Sequence, residues 1–535
     1  MAKKKNENTL QYLQMPLPSG GKYSKMTKVA FGGLNKRYTL DSGALTMENN
    51  ISTNEYPYLV PSNKRMLLNE SMKKYEHPIG MFAFENFLLV IYQEQTSEVV
   101  SNGIKYITTV KADYIKNRTV DFTGEIAKYT DFTGWKEIEP RSVVQFNVYT
   151  EGETGTIIDG TFTKKLLIFP DKKSMYFNVE EDANTKDGTF QFYNMDSDDG
   201  TIVTPPIKYA TVHLSRVFGV SDDCVFASKF NDYTDWMLDT SGDGYDDDGY
   251  DEKNAWMSQT QSNTKADGNF TGIANFQGHI VCFKRDFMHE IYNTKNPFRL
   301  VDVYAEGTID NRTIQDVDGK LIFVSEDGVK IYTGSNPRVI DYNLNMSQYT
   351  YAVSGTDNRN YYLYCEDDKS KKYLYVYDTF TELWSEQSIE HQVLSFAHNK
   401  NGMYMLCTDG CVYKMDTEVY ATEWSFETDL ITNKTVDIKH IKKIQMLVEL
   451  DDKADTNIDV YILYDNETFD GLLPEEKAKH LVYSNETRKR YGKFPIRVKP
   501  RNTANYGFKL HIEGSGYVKL YELEIFVEAG GDLYV

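Results

Sequence analysis

"VDGKLIFVSEDGVKIYTG", residues 317–334, holds two apolar runs separated by Glu326-Asp327-Gly328, with a glycine towards each end. β-branched and aromatic residues fit a pleated surface, and a short acidic turn ending in glycine between two such runs predicts an antiparallel hairpin. A lone hairpin says nothing about function, whereas a ring of hairpins says a good deal.

Several stretches share the outline of a turn, three or four apolar or aromatic positions, a charged or glycine-containing turn, and a second strand ending near an aromatic. They are "FQGHIVCFKRDFMHEIY" (276–292), "YYLYCEDDKSKKYLYVYDTFTELW" (361–384) and "NKNGMYMLCTDGCVYKMD" (399–416), with fainter copies "MFAFENFLLVIYQ" (81–93) and "TKKLLIFPDKKSMYFN" (163–178). Their spacing of about 40 to 60 residues is that of propeller blades, each a four-stranded sheet that buries its faces only against its neighbours. The pattern predicts an all-β chain with a β-propeller of six to eight blades; unrelated hairpins in two stacked sandwiches are the alternative. Helical signals are weak: 63–75 and 474–480 are short and polar.

Residues 238–268, "LDTSGDGYDDDGYDEKNAWMSQTQSNTKADG", are polar and lack a strand pattern, so they read as an insertion loop on one face of the ring. After residue 420 the texture changes to longer alternations such as "IKKIQMLVEL" (441–450) and "NIDVYILYD" (457–465). This closing segment of about 115 residues suits one β-sandwich. The expected organisation is a basic N-terminal arm (1–27), a propeller (28–420) and a C-terminal sandwich (421–535).

Composition narrows the function. Aromatic residues make up 14% of the 535, with 40 Tyr and 28 Phe, and proline is scarce at 14, which suits strands. The formal net charge of −20 argues against gripping a nucleic-acid backbone, which takes Lys and Arg to displace counterions, but allows a surface past which DNA slides. No apolar run reaches the length of a membrane span, so no membrane anchor is expected. The N-terminal "MAKKKNENTLQYLQMPLPSGGKYSK" carries Lys3, Lys4, Lys5, Lys22 and Lys25 without the apolar core of a signal peptide. It reads as a flexible tail, or as an arm that orders on an acidic subunit or on nucleic acid. The five cysteines (Cys224, Cys282, Cys365, Cys407, Cys411) are odd in number and scattered, as expected of free thiols in a reducing cytoplasm.

No zinc-protease, nucleophile-elbow, phosphate-loop or dinucleotide fingerprint is present, and a non-enzymatic chain is expected. A propeller channel can house paired carboxylates for glycoside hydrolysis, but "SEDGVKIY" at Ser325 does not fit the Ser-x-Asp-x-Gly turn of sialidase blades. His279 and His289 flank one hairpin and read as surface residues. The sharpest local signal is the acidic loop. Asp239, Ser241, Asp243, Gly244 and Asp247 match positions 1, 3, 5, 6 and 9 of a calcium loop, while position 12, normally a bidentate Glu, is Tyr250, followed by Asp251 and Glu252. Calcium is the one cofactor this pattern suggests; a solvated acidic loop is the alternative.

The stretch "FGGLNKRYTLDSGALTMENNISTNEYPYL" (31–59), with its Gly-Leu-Asn turn, Met-Glu-Asn segment and Tyr-Pro, resembles the opening of propeller proteins of tailed bacteriophages and prophages. The succession "RVFGVSDDCVFASKFNDYTDWM" (216–237), "FQGHIVCFKRDFMHEIY" and "EGTIDNRTIQDVDGKLIFVSEDGVKIYTGSNPRVI" (306–340) is similar to neck and tail proteins described as stabilisation, tail tubular or nozzle proteins. "YLYVYDTFTELW" and the closing "RVKPRNTANYGFKLHIEGSGYVKLYELEIFVEAGGDL" follow the same pattern, and the long acidic loop departs from it. The resemblance implies a virion structural protein made in the host cytoplasm. Its partners would be other neck or tail proteins and copies of itself in a ring, with DNA passing through the lumen without specific binding. A glycan-binding or glycan-cleaving propeller used in host recognition is the alternative. The loop has its own test: calorimetric titration should give calcium-binding heat that disappears in an Asp239→Ala, Asp243→Ala double variant, and no heat from the parent chain removes the site.

Overall fold

A computed structural model describes residues 24–28, 31–37, 43–68, 74–100, 103–116, 118–151, 157–177, 185–186, 189–238, 254–258, 268–292, 298–421, 423–432, 438–452, 456–464, 479–486, 490–500 and 504–529. The chain is all-β; among these residues the helical structure is one 3-10 turn, Asn311–Thr313. Within 63–75 the described residues form a two-residue strand, Met66–Leu67, and His480 opens a strand, so neither weak helical signal is a helix where the chain is described.

The opening stretch is the heart of a four-stranded sheet: Gln315–Val317, Lys320–Ser325, Gly328–Tyr332 and Arg338–Val339 pair in sequence order. Asp318 and Gly319 at φ 53° and 70° form the first hairpin turn, and Ser325 pairs directly with Gly328 across the second. Gly328 has φ 143°, and a Cβ there would lie 2.7 Å from an Asp341 carboxylate oxygen. Glycine is required at that turn.

The run "LIFV" is apolar at every position because both faces of its strand are buried. Leu321 and Phe323 join Phe283 of the preceding sheet, while Ile322 and Val324 join Leu363 of the following one. This two-sided burial repeats around the molecule. Blade 1 comprises Pro78–Phe84, Phe87–Val100, Gly103–Lys116 and Thr119–Asp131, and blade 2 comprises Ser142–Glu151, Ile157–Phe169, Lys173–Tyr176 and Tyr193–Asn194. Blade 3 runs from Tyr209–His213 to Trp256–Met257, blade 4 from Gly272–Phe276 to Arg299–Tyr304, and the opening stretch lies in blade 5. Blade 6 spans Tyr351–Thr356 to Leu383–Gln387, and blade 7 comprises Val393–Asn399, Gly402–Cys407 and Val412–Lys414.

Each neighbouring pair shares one apolar cluster. Leu89 of blade 1 meets Leu166 of blade 2, Leu167 of blade 2 meets Val217 of blade 3, and Phe218 of blade 3 meets Ile280 of blade 4. Leu374 of blade 6 meets Met405 of blade 7, and Leu406 of blade 7 returns to Val90 of blade 1. Among the described residues the ring has seven blades and is closed. Its last blade takes its fourth strand from Met66–Leu67, far upstream, so chain closure and ring closure coincide. Tyr75 bridges that seam, donating its backbone N–H to Gly410 of blade 7 at 3.0 Å and its hydroxyl to the buried Asp113 of blade 1 at 3.1 Å.

The C-terminal segment is a sandwich, as expected, but it is not self-contained. One sheet holds Val518–Ala529, Lys439–Leu450, Gly492–Val498 and Ala504–Asn505, and its outer strand is Ser24–Lys28. The other holds Trp424–Thr428, Phe508–Ser515, Asn457–Tyr464 and His480–Ser484, and its outer strand is Leu45–Asn49. The residues expected as the end of a basic arm and the start of the propeller are therefore edge strands of the sandwich. Residues 1–23 lie outside the described residues. Part of the expected insertion also belongs to the ring, since Trp256–Met257 is the outer strand of blade 3, with Trp256 set edge-on to Phe298.

Propeller and sandwich meet where residues 31–37 cross blade 6. Leu34 N–H bonds the Trp384 carbonyl at 2.8 Å, and a Cβ on Gly33 would sit 2.5 Å from the same oxygen, so only glycine allows the approach. Lys36 then reaches Glu386 at 2.8 Å and the Tyr375 hydroxyl at 2.7 Å. Beside them Glu48 is 3% exposed, and neither carboxylate oxygen has a hydrogen-bond partner. Burial, and then the like charge of Glu386, hold its pKa well above the usual carboxylate value. The sign follows from that direction. Below the unfolded value the carboxyl is neutral in both states, and as pH rises above it the folded state resists ionisation, so stability falls. Thermal unfolding between pH 5 and 8 should show a smaller loss for Glu48→Gln than for the parent; equal losses would remove Glu48 as the cause.

Candidate functional site

Two ends of the ring are distinguished by chain direction. Each blade begins with its inner strand, and the inner strands lie beside one another around the channel. The residues just before those strands therefore gather at one mouth. They are mostly polar.

Glu139 precedes the inner strand of blade 2, Lys208 precedes that of blade 3, and the two pair at 3.1 Å. Burial alone would lower Lys208, but Tyr209, Glu139 and Asp222 outweigh it and raise its pKa. Asp310 and Arg312 precede the inner strand of blade 5. Asp310 caps the 3-10 turn by accepting from the Arg312 backbone N–H at 2.8 Å, and its carboxylate also receives Arg312 Nη2 at 2.8 Å. Arg312 Nη1 reaches the Tyr351 hydroxyl at 3.3 Å, and that hydroxyl donates to the Val393 carbonyl of blade 7 at 2.9 Å. Burial opposes the charge on Arg312, yet Asp310 and Tyr351 raise its pKa. Glu366 accepts from Tyr364 at 2.6 Å and from Gln392 at 3.0 Å.

The mouth is thus a belt of charged and polar groups already engaged with one another, within blades and across them. Such a belt fixes neighbouring blades and presents a polar rim. Burial raises the pKa of Tyr209 and of Tyr351, so both stay neutral donors at physiological pH.

The expected calcium residues Asp239, Ser241, Asp243, Gly244 and Asp247 lie outside the described residues. Their flanks are described. The connection leaves blade 3 at the end opposite the mouth, where Asn231 N–H bonds the Ser215 carbonyl at 2.7 Å and its side chain accepts from Tyr149 N–H at 2.7 Å. Among the described residues no group of three or more His, Cys, Asp or Glu is placed to hold a metal ion.

The two histidines differ from expectation. His289 is fully buried, with its ring near those of Phe270 and Phe287 at 5.7 and 6.3 Å. His279 is largely covered, stacks on Tyr292 at 5.9 Å and stands 3.7 Å from the buried Glu290. Both lie on strands with two buried faces, where alternation does not send side chains to solvent. All five cysteines are free, and Cys411 alone is not fully buried. Burial pushes the Cys224 thiol to about 11 and the Cys407 thiol to about 12, which keeps them protonated and unreactive.

Sequence reasoning missed the mouth belt, because residues far apart in sequence meet there only through ring closure. It also missed the length of the blade 1 strands. Phe87–Val100 and Gly103–Lys116 have 14 residues each and Thr119–Asp131 has 13, against 6 and 5 in Lys320–Ser325 and Gly328–Tyr332. The signal was present in "QEQTSEVVSNGIKYITT", where strand-like residues continue on both sides of an Asn-Gly turn. Only the first six residues of Phe87–Val100 are buried; the remainder continues beyond the mouth as an arm.

No family model and no curated protein matches the chain. Solved structures do. BamB from Moraxella catarrhalis is 9% identical at TM-score 0.34, over 67% of this chain and 98% of that one. A putative 6-phosphogluconolactonase from Bacteroides uniformis is 12% identical at TM-score 0.32, over 62% and 92%. TolB from Acinetobacter baumannii is 9% identical at TM-score 0.22, over 62% and 80%. At these values the likeness is one of architecture and carries no activity across.

The belt makes a stability prediction. Arg312→Ala leaves Asp310 and the Tyr351 hydroxyl without their cation, and should cost about 1–3 kcal/mol in denaturant unfolding. Arg312→Lys should recover part of it.

Proposed function

We propose that this chain is a structural protein of a tailed-bacteriophage virion, present in several copies around the DNA exit path of the neck or tail. The observation that carries the reading is the double closure. The same N-terminal segment supplies outer strands to both sandwich sheets and the fourth strand of the last blade, so neither unit opens without disturbing the other. A body closed in this way holds its shape under load, which is what a tail component requires. The particle class comes from the resemblance of residues 31–59, 216–237, 276–292, 306–340, 373–384 and 497–533, and the role calls for no catalytic step. Its partners are other neck or tail proteins and further copies of this chain. The charge of −20 supports a lumen through which DNA moves without being held.

Mass spectrometry and cryo-electron microscopy of purified particles provide the test. The expected result is this chain at a fixed, ring-like copy number near the portal-to-tail axis. Its absence from particles overturns the reading, as does loss of wall-polysaccharide hydrolysis upon mutating carboxylates in the channel.

A further inference from the structure

The three long strands of blade 1 extend past its inner strand and leave two edges without a strand partner among the described residues. Phe87–Val100 pairs with Gly103–Lys116 along its whole length with no shift in register. On its other side Pro78–Phe84 pairs no further than Tyr92, so residues 95–100 have no strand partner among the described residues. At the far side Thr119–Asp131 meets Thr189–Phe190 at Gly124 alone, so residues 126–131 are likewise without one. The first edge is about 20 Å long.

Long edges are normally guarded by Lys, Pro or a bulge, since bare N–H and C=O groups recruit another strand. Residues 95–100, "QTSEVV", contain none of these. Val99 is 90% exposed there, with Ile104 exposed beside it and Phe132 at the end of the other edge. The two edges also differ in charge. The first carries Glu98 and the second Lys128; both are exposed, and neither is in an ion pair among the described residues. The second edge is the more guarded of the two, with Lys128, a bulge opposite Val110 and Lys111, and Ile126 and Tyr129 packed towards blade 2, so the first edge is the one that seeks a partner.

We propose that neighbouring copies of this chain join through their arms, residues 95–100 of one copy pairing with residues 126–131 of the next. The two strands run in the same direction, both being antiparallel to Gly103–Lys116. Rotation about a ring axis keeps the arms pointing alike, so the seam is parallel and sets Glu98 against Lys128. A two-fold contact of the first edge on itself would instead be antiparallel and would gather the Glu94 and Glu98 side chains of both copies. Because one edge meets a different edge, the contact is head-to-tail, the kind that builds a ring when its rotation closes. The proposal rests on a multi-copy assembly, though not on where in the virion it sits.

The positions for cross-linking are Val100 and Thr130, which lie on the same face of the sheet as Glu98 and Lys128. Val100→Cys and Thr130→Cys chains, mixed and oxidised with copper phenanthroline, should give a covalent dimer that neither chain gives alone. The parent chain controls for Cys411. A second pair, Val100→Cys with Lys128→Cys, covers a two-residue shift in register. A Val100→Cys homodimer as abundant as the mixed one overturns the head-to-tail seam. No cross-link from either pair, in concentrated chain and in particles, overturns the arm contact. A ring-like copy number in particles without the cross-link removes the arm and leaves the virion role standing. The cross-link in purified chain, with the chain itself absent from particles, leaves the arm contact standing and removes the virion role.

Discussion

The rest of the structure depends on one constraint: a blade has two apolar faces and can cover neither by itself. Leu88 and Val90 pack towards blade 7 while Leu89 and Ile91, on the same strand, pack towards blade 2. Removing any blade would expose both neighbours, so the set is stable only when the last member reaches the first. That contact is made by Leu406 and Val412 against Val90 and Ile115, and the strand that completes it comes from residues 66–67. The propeller is thus finished by chain that precedes all of its blades in sequence.

The same economy governs the sandwich. Its two sheets contribute one continuous core, with Phe31, Leu45 and Ile51 from the N-terminal segment buried beside Ile444, Val460 and Ile512. Between these commitments the segment crosses blade 6, held by Gly33 against Trp384 and by Lys36 over the rings of Tyr373 and Tyr375 at 4.6 and 4.8 Å. A lysine in that position is partly desolvated, and Glu386 together with two aromatic faces compensates for the lost water. Glu48 is the cost of so tight a junction. It lies on the edge strand that joins the sandwich, and its orientation is set by the pairing of Leu45–Asn49 rather than by any partner of its own.

Much of the architecture was legible because hairpins are local. The "LIFVSEDGVKIY" pattern states two strands, their turn and, through its unbroken apolar run, burial on both faces. The alternating pattern of 441–450 likewise states one buried face, and the strand buries alternate residues along most of its length. What could not be read were pairings between distant segments. Met66–Leu67 has only two strand residues, too few for a periodic signal, and Ser24–Lys28 reads as polar because it is an edge. The charged mouth was hidden for the same reason: Glu139, Lys208, Asp310 and Tyr351 have nothing in common until the ring is closed. The histidines mislead in a further way, since a polar residue on a strand buried on both faces has no solvent side to occupy.

Rigidity and adhesion are separated in this molecule. The ring and sandwich satisfy their own apolar faces, and several charges at the mouth are held in pairs, so the body is built mainly for internal contact. The arm departs from this rule. Its strand Phe87–Val100 runs past the inner strand that supports it, has no buried residue after Tyr92, and ends with Val99 almost fully exposed. Extending strands from within a packed sheet keeps the projection stiff, because its base shares the hydrogen-bond ladder of blade 1 and the cluster around Phe87 and Tyr114. A stiff projection loses little conformational entropy on docking, so its contacts translate more fully into affinity than those of a flexible tail would. The proposed assembly of identical copies would need one such feature in a fixed place on each, and the projection of blade 1 at the face where the channel opens meets that requirement.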